Sequence, residues 1–154
     1  MKKIVLVFVL VFHFVFSVSG QSVNDFEYEV NNNQITITGY RGNAKNVRIP
    51  ERINEMPVIA IGDGAFYENQ LTSITLPNSI THIGDMAFAY NQLTRITLPN
   101  SIIHIGDIAF YENCLTNITL PNSITHIGYS AFRVNQLTNV IVPNSVVNLA
   151  DDAL

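Results

Sequence analysis

Leu71 to Gln92 reads LTSITLPNSITHIGDMAFAYNQ, and Leu93 to Cys114 reads LTRITLPNSIIHIGDIAFYENC. Leu115 to Gln136 follows with LTNITLPNSITHIGYSAFRVNQ, and Leu137 to Leu154 with the incomplete LTNVIVPNSVVNLADDAL. Starts at 71, 93, 115 and 137 give an ungapped period of 22 residues. A degenerate and slightly longer copy, VRIPERINEMPVIAIGDGAFYENQ, occupies 47–70. One such unit cannot bury its own apolar edge, whereas stacked units share a continuous core. The organisation expected is therefore an array of five repeats: 47–70, 71–92, 93–114, 115–136 and 137–154.

A fixed period of about 20–29 residues is the signature of a leucine-rich-repeat solenoid. The expected fold is right-handed and β-dominated, with parallel strands stacked coil on coil and short helical turns. Within a coil, Leu71, Ile74 and Leu76 alternate with Thr72, Ser73 and Thr75, and this pattern places the main strand at Ile74-Thr75-Leu76. Pro77 ends it, having no N–H for a ladder, and Asn78-Ser79 turns the chain. Ile80-Thr81-His82-Ile83 reads as a second short extended segment. Gly84 permits a sharp turn, and Asp85 suits the N-cap of one helical turn carrying Ala87 and Phe88. Columns then follow from the period: Leu71, Leu93, Leu115 and Leu137; Ile83, Ile105, Ile127 and Leu149; Phe66, Phe88, Phe110 and Phe132, with Leu154 at the corresponding end. A rival register centred on Ile83 to Leu93 is disfavoured by Gly84, Asp85 and Ala87. That register draws attention to Asn69, Asn91, Asn113 and Asn135, a column suited to satisfying backbone groups at a turn between coils.

Composition narrows the function. Charged residues are 13% of the chain and hydrophobic residues 47%, with a net charge of −4. The polar balance is carried by Thr, Asn, Ser and Gln, so the surface is neutral. One cysteine excludes an internal disulfide scaffold and a Cys-rich zinc site. The acidic balance excludes a nucleic-acid partner, which requires a basic face.

The N-terminus has its own pattern. Met1-Lys2-Lys3 is basic, Ile4 to Phe16 is apolar except for His13, and Ser17-Val18-Ser19-Gly20 is a small-residue exit. This is the pattern of a secretory signal peptide over 1–20. The apolar run is short for a membrane span, which takes about 20 residues. Without Lys2 and Lys3, six of the eight basic residues face twelve acidic ones. Residues 21–46 read as an N-terminal β-hairpin cap: Phe26, Tyr28 and Val30 alternate with Glu27 and Glu29, Asn31-Asn32-Asn33 turns, and Ile35, Ile37 and Tyr40 return. At the other end Ala153-Leu154 align with Ala87-Phe88. The fifth repeat is thus partial, and Val140-Ile141-Val142 is expected near an open sheet edge suited to self-association.

The motif LTxITLPNSITHIGDxAF, as in Leu71 to Phe88, resembles the BspA-like subclass of bacterial leucine-rich repeats over Val47 to Leu154. That resemblance implies a secreted or cell-surface bacterial protein and an adhesion role, with an extracellular protein or cell-surface ligand, host matrix proteins among them, as partner. In the family the turn position taken here by Asn69, Asn91, Asn113 and Asn135 is often Cys. Cys114 stands one position later and is a half-buried singleton by this reading.

Site candidates follow from the columns. The outward strand face carries Thr72, Ser73 and Thr75; Thr94, Arg95 and Thr97; Thr116, Asn117 and Thr119; and Thr138 and Asn139. Such an extended face is the usual binding surface of a solenoid. His82, His104 and His126 form a polar column without a fixed carboxylate beside it, so no metal site is assigned. Asp63, Asp85 and Asp107 form another, best explained as caps. No catalytic set can be assembled and no cofactor is expected. Three functions stay open: a protein-binding adhesion module through the strand face, a structural spacer or piece of a longer array, and a glycan-active repeat protein.

Overall fold

The computed structural model describes residues 22–154; the leader expected over 1–20 lies outside them. Among the described residues ten short strands follow a single 3-10 turn at Val23–Asp25. They are β1 Phe26–Asn31, β2 Gln34–Tyr40, β3 Asn46–Arg48, β4 Arg52–Ile53, β5 Met56–Ile61, β6 Ser73–Thr75, β7 His82–Ile83, β8 His104–Ile105, β9 His126–Ile127 and β10 Asn148–Leu149. The continuous sheet runs β1-β2-β5-β7-β8-β9-β10, with β4 paired to β5. From β2 onward that path is parallel. The molecule is a β-solenoid with one strand of the sheet per coil.

The sheet does not run where the sequence pattern placed the main strand. On the Leu-Thr side, β6 pairs with β3, and farther along a lone parallel bridge joins Arg95 to Asn117. The continuous ladder lies instead on His-Ile, where His82 pairs with His104 and His104 with His126. The Leu-Thr side alternates strictly at Ile74-Thr75-Leu76, whereas the His-Ile side sets two polar residues, Thr81 and His82, between the buried Ile80 and Ile83, so strict alternation favours the side without the continuous ladder. Pro77, Pro99 and Pro121 withhold a donor at one end of the Leu-Thr side. On the His-Ile side successive coils are tied by Gly84 N–H to Ile61 O at 2.8 Å, Gly106 to Ile83 at 2.8 Å and Gly128 to Ile105 at 2.9 Å.

The short helical turn expected at Asp85–Phe88 is replaced by turns with left-handed backbone. Met86, Ile108 and Ser130 have φ of 54°, 60° and 51°, in the column that Gly64 occupies in the first coil with φ 62°. A helix would return its N–H groups to its own carbonyls. Here they are given to the next coil: Met86 to Asp107 O at 2.8 Å, Phe88 to Ala109 O at 2.8 Å and Phe110 to Ala131 O at 2.7 Å. These inter-coil bonds offset the roughly 1–2 kcal/mol that a side-chain-bearing residue loses in the left-handed region. The Asp column is likewise an inter-coil device. Asp63 Oδ1 accepts from Asp85 N, Asp85 Oδ1 from Asp107 N and Asp107 Oδ1 from Tyr129 N, at 2.9, 2.8 and 2.7 Å.

Glycine is required in the neighbouring column. A Cβ on Gly106 would lie 2.7 Å from Asp85 N and 2.7 Å from Gly84 C, both backbone atoms of the preceding coil. Gly106→Ala must therefore spread two coils, and we expect a loss of about 1–3 kcal/mol, read as a lower denaturation midpoint.

The core is a set of ladders. Phe66, Phe88, Phe110 and Phe132 stack with centroids 5.2 Å apart at every step. Leu71, Leu93, Leu115, Ile83, Ile105 and Ile127 line the same interior, all buried. Leu137 is only partly buried, and Leu149 and Leu154 are exposed. Val140, Val142 and Val146 pack against the core from the last coil. At the other end the β1–β2 hairpin turns on Asn32-Asn33, with φ of 50° and 63°, which are values of a primed two-residue turn. It sets Phe26 and Tyr40 against the face of Phe66 with centroids at 6.4 and 5.5 Å, closing the Phe ladder.

Candidate functional site

Each coil presents three sides, and the candidates fall on different ones. On the Leu-Thr side, Ile74, Leu76, Ile96, Leu98, Ile118 and Leu120 point inward and are buried. Between them Thr72, Ser73, Thr75, Thr94, Arg95, Thr97, Thr116, Asn117, Thr119, Thr138 and Asn139 are exposed and form one face, although little of it is regular strand. Local bonds hold parts of it: Thr72 Oγ1 donates to Asn46 Oδ1 at 2.9 Å, and Asn117 Nδ2 to Thr116 Oγ1 at 3.4 Å. Two hollows open here, one of about 160 Å³ along Arg48, Thr75 and Asn78, the other of about 170 Å³ along Thr75, Thr97 and Pro99. Small-molecule sites hold about 300–1,000 Å³, so this face suits a broad partner better than an enclosed ligand.

The His column lies on the second side. The rings of His82 and His104 stack at 5.9 Å, and those of His104 and His126 lie 5.8 Å apart. Thr81 and Thr125 hydroxyls lie 2.7 Å from Nδ1 of His82 and His126 and orient those rings. Among the described residues no group of three His, Cys, Asp or Glu is placed to hold a metal.

Burial first, and the neighbouring His104 second, push the His82 pKa below its ordinary 6.5. The folded chain therefore binds fewer protons than the unfolded chain just below that value. Stability is complete above pH 6.5 and is lost as the pH falls through the folded pKa. Thermal melts on either side of pH 6.5 should show this acid loss. His104→Asn, which copies the Asn148 rung, should shrink it by removing the second charge.

A third feature escaped the sequence reading. Tyr67, Tyr90 and Tyr111 form a row with centroids 5.4 and 5.5 Å apart and planes inclined at 69° and 64°. They sit between the Asp turn and the Asn corner and zigzag across two columns, Tyr67-Glu68, Ala89-Tyr90 and Tyr111-Glu112. No single column is aromatic, so the period hides the row. The signal was YEN, AYN and YEN ahead of each restart. Cys114 is half-buried and free.

A stacked-coil interior, an Asn corner and outward polar faces define a leucine-rich-repeat solenoid. The chain belongs to the BspA type leucine rich repeat region family, six copies of which match residues 59–154. The crystal structure of the Treponema pallidum leucine-rich-repeat protein is 33% identical, with a TM-score of 0.81 over 85% of this chain and 64% of that one. A leucine-rich-repeat protein of Bacteroides ovatus is 26% identical, with a TM-score of 0.71 over 84% of this chain and 37% of that one. One from Bacteroides capillosus is 29% identical, with a TM-score of 0.67 over 77% and 94%. The chain thus spans just under two thirds of the T. pallidum protein's length. A comparison with curated proteins gave no match.

Proposed function

We propose that the chain is an exported, non-catalytic module that binds an extracellular protein or cell-surface ligand through the Thr72 to Asn139 face. The observation that carries this reading is the continuity of that face: hydrogen-bonding side chains, neutral except for Arg95, stay exposed on four successive coils above an apolar row that is buried in the first three and partly buried in the last. Arg95 and Asn117, joined by the backbone bridge, stand at its centre. Central Arg is a common energetic anchor of interfaces. Export and a bacterial cell-surface location are supported by the basic start, apolar run and small-residue exit of residues 1–20.

The test is binding of the purified chain to immobilised matrix proteins and to whole cells. The double variant Arg95→Ala/Asn117→Ala is expected to weaken capture about tenfold, close to 1.4 kcal/mol, with its melting curve unchanged. Lack of binding to both supports, with a silent double variant, would sink the reading. The relatives favour a second one. The chain covers 37% of the B. ovatus structure, so its coils also suit a spacer within a longer array. A spacer would leave every Thr-face substitution silent while core substitutions still unfold it.

A further inference from the structure

The tyrosine row is a second surface, and its chemistry differs from that of the Thr face. Tyr67 and Tyr90 are 40% and 39% exposed, unusual for neighbouring aromatic rings that could have been packed away. The buried Phe ladder beside them stacks nearly flat, at 4° to 14°. The tyrosines are steeply inclined instead and meet edge to face, so they do not close into a flat stack as the phenylalanines do. Glu68 and Glu112 stand in the column of Tyr90, one coil to either side of it, and are exposed. The neighbouring Glu68 carboxylate holds the Tyr67 hydroxyl above its ordinary pKa, and desolvation, then Glu112, does the same for Tyr90, so both carboxylates act on the same rings. Among the described residues no ion pair involves Glu68 or Glu112, whereas Arg41 pairs with Glu27 and Arg133 with Asp152; Lys45, next to this end of the row, is held by Asn69 O at 2.9 Å. The ridge ends at the next coil, where Arg133-Val134 replaces Tyr-Glu.

We propose that Tyr67, Glu68, Tyr90, Tyr111 and Glu112 form a docking ridge for a cationic protein segment, with arginine or lysine side chains laid over the rings between the two carboxylates. Charge complementarity selects the occupant. A cation gains from an aromatic face and from a nearby carboxylate at once, and arginine gains most because its planar guanidinium also stacks and pairs bidentately. Tyrosine is enriched at protein interfaces for the same amphipathic reason. A sugar platform would instead need rings presented in one plane, without charge that a neutral glycan leaves unmatched. This surface is separate from the Thr face and does not depend on it.

The experiment uses the whole purified chain and short fluorescent oligoarginine, oligolysine and oligoglutamine peptides, read by anisotropy. Expected is arginine over lysine over glutamine, with affinity falling as salt rises. Glu68→Gln/Glu112→Gln should weaken oligoarginine at least about tenfold, and Tyr90→Ala about two- to fivefold, while Tyr90→Phe stays near the parent. A control pair, Glu29→Gln/Glu51→Gln, removes the same charge elsewhere and should change binding less than about twofold. Equal losses from ridge and control pairs would mean diffuse acidity and overturn the proposal. So would unchanged binding in the ridge variants. Tyr90-dependent binding of neutral oligosaccharides that ignores the Glu pair would also overturn it, by assigning the row to glycans.

Discussion

Phe110→Ala is expected to remove about 3–5 kcal/mol of stability and to lower the melting temperature by roughly 12–20 °C. Phe110 is fully buried and stacks on Phe88 and Phe132, with centroids 5.2 Å away on either side. Its backbone cannot collapse into the space left, because it is tied on both flanks: Phe88 N–H donates to Ala109 O and Phe110 N–H to Ala131 O. A cavity so held stays open, which is the costly case. Domain stability is about 5–15 kcal/mol, so the loss is a large share. Phe110→Leu refills part of the volume and should cost less than half as much. By contrast Thr97→Ala on the exposed face should stay within about 0.5 kcal/mol. Chemical denaturation of the three variants checks the order; a Phe110→Ala loss near that of Thr97→Ala would refute a rigid ladder.

Why the interior was legible and the sheet was not follows from the period. Every position repeats, so every position forms a column, and inward columns declare themselves by being apolar. Phe88, Ile83 and Leu93 needed no structure to be placed in the core. Asn91 was legible too, as a polar residue repeated where a turn must close. The choice between the two sides was not legible. Ile74-Thr75-Leu76 has the better strand pattern, apolar-polar-apolar against polar-polar-apolar at Thr81-His82-Ile83, yet the continuous ladder lies on the latter because the backbone bonds between coils decide it. Met86, Ile108 and Ser130 show the other limit: none signals a left-handed turn by residue type, and Gly64 alone in that column hinted at it. Asp85 looked like the cap of its own turn, yet its carboxylate serves the N–H of Asp107 one coil on. On the surface, the Thr and His columns were visible because each keeps to one register. The tyrosine row changes column at every coil and became visible only in three dimensions.

Asn113→Ala is expected to cost roughly 3 kcal/mol, nearly as much as the Phe substitution although half as many heavy atoms are lost. Asn113 Oδ1 accepts from Leu93 N at 3.0 Å, while its Nδ2 donates to Phe88 O at 2.9 Å and Phe110 O at 3.2 Å. The two carbonyls are shared: Phe88 O also receives Asn91 Nδ2, and Phe110 O also receives Asn135 Nδ2. They keep one donor each in the variant. Leu93 N–H does not keep an acceptor, and Leu93 is fully buried, so one orphaned donor carries about 1–3 kcal/mol of the loss and the two weakened carbonyls the rest. Asn69, at the end of the column, has a buried Oδ1 with no partner, so Asn69→Ala should be milder. Asn113→Asp gives a sharper test. It keeps the acceptor for Leu93 but turns a second oxygen toward two carbonyls, which raises the pKa of the new carboxyl in the folded chain. The folded chain then binds more protons than the unfolded one, so the deficit grows as pH rises through about 4 and beyond. The variant should therefore be worst near neutrality and recover on acidification, when a protonated carboxyl can donate again. Hydrogen exchange should report the same event locally, with the Leu93 amide losing protection in Asn113→Ala and keeping it in acidified Asn113→Asp.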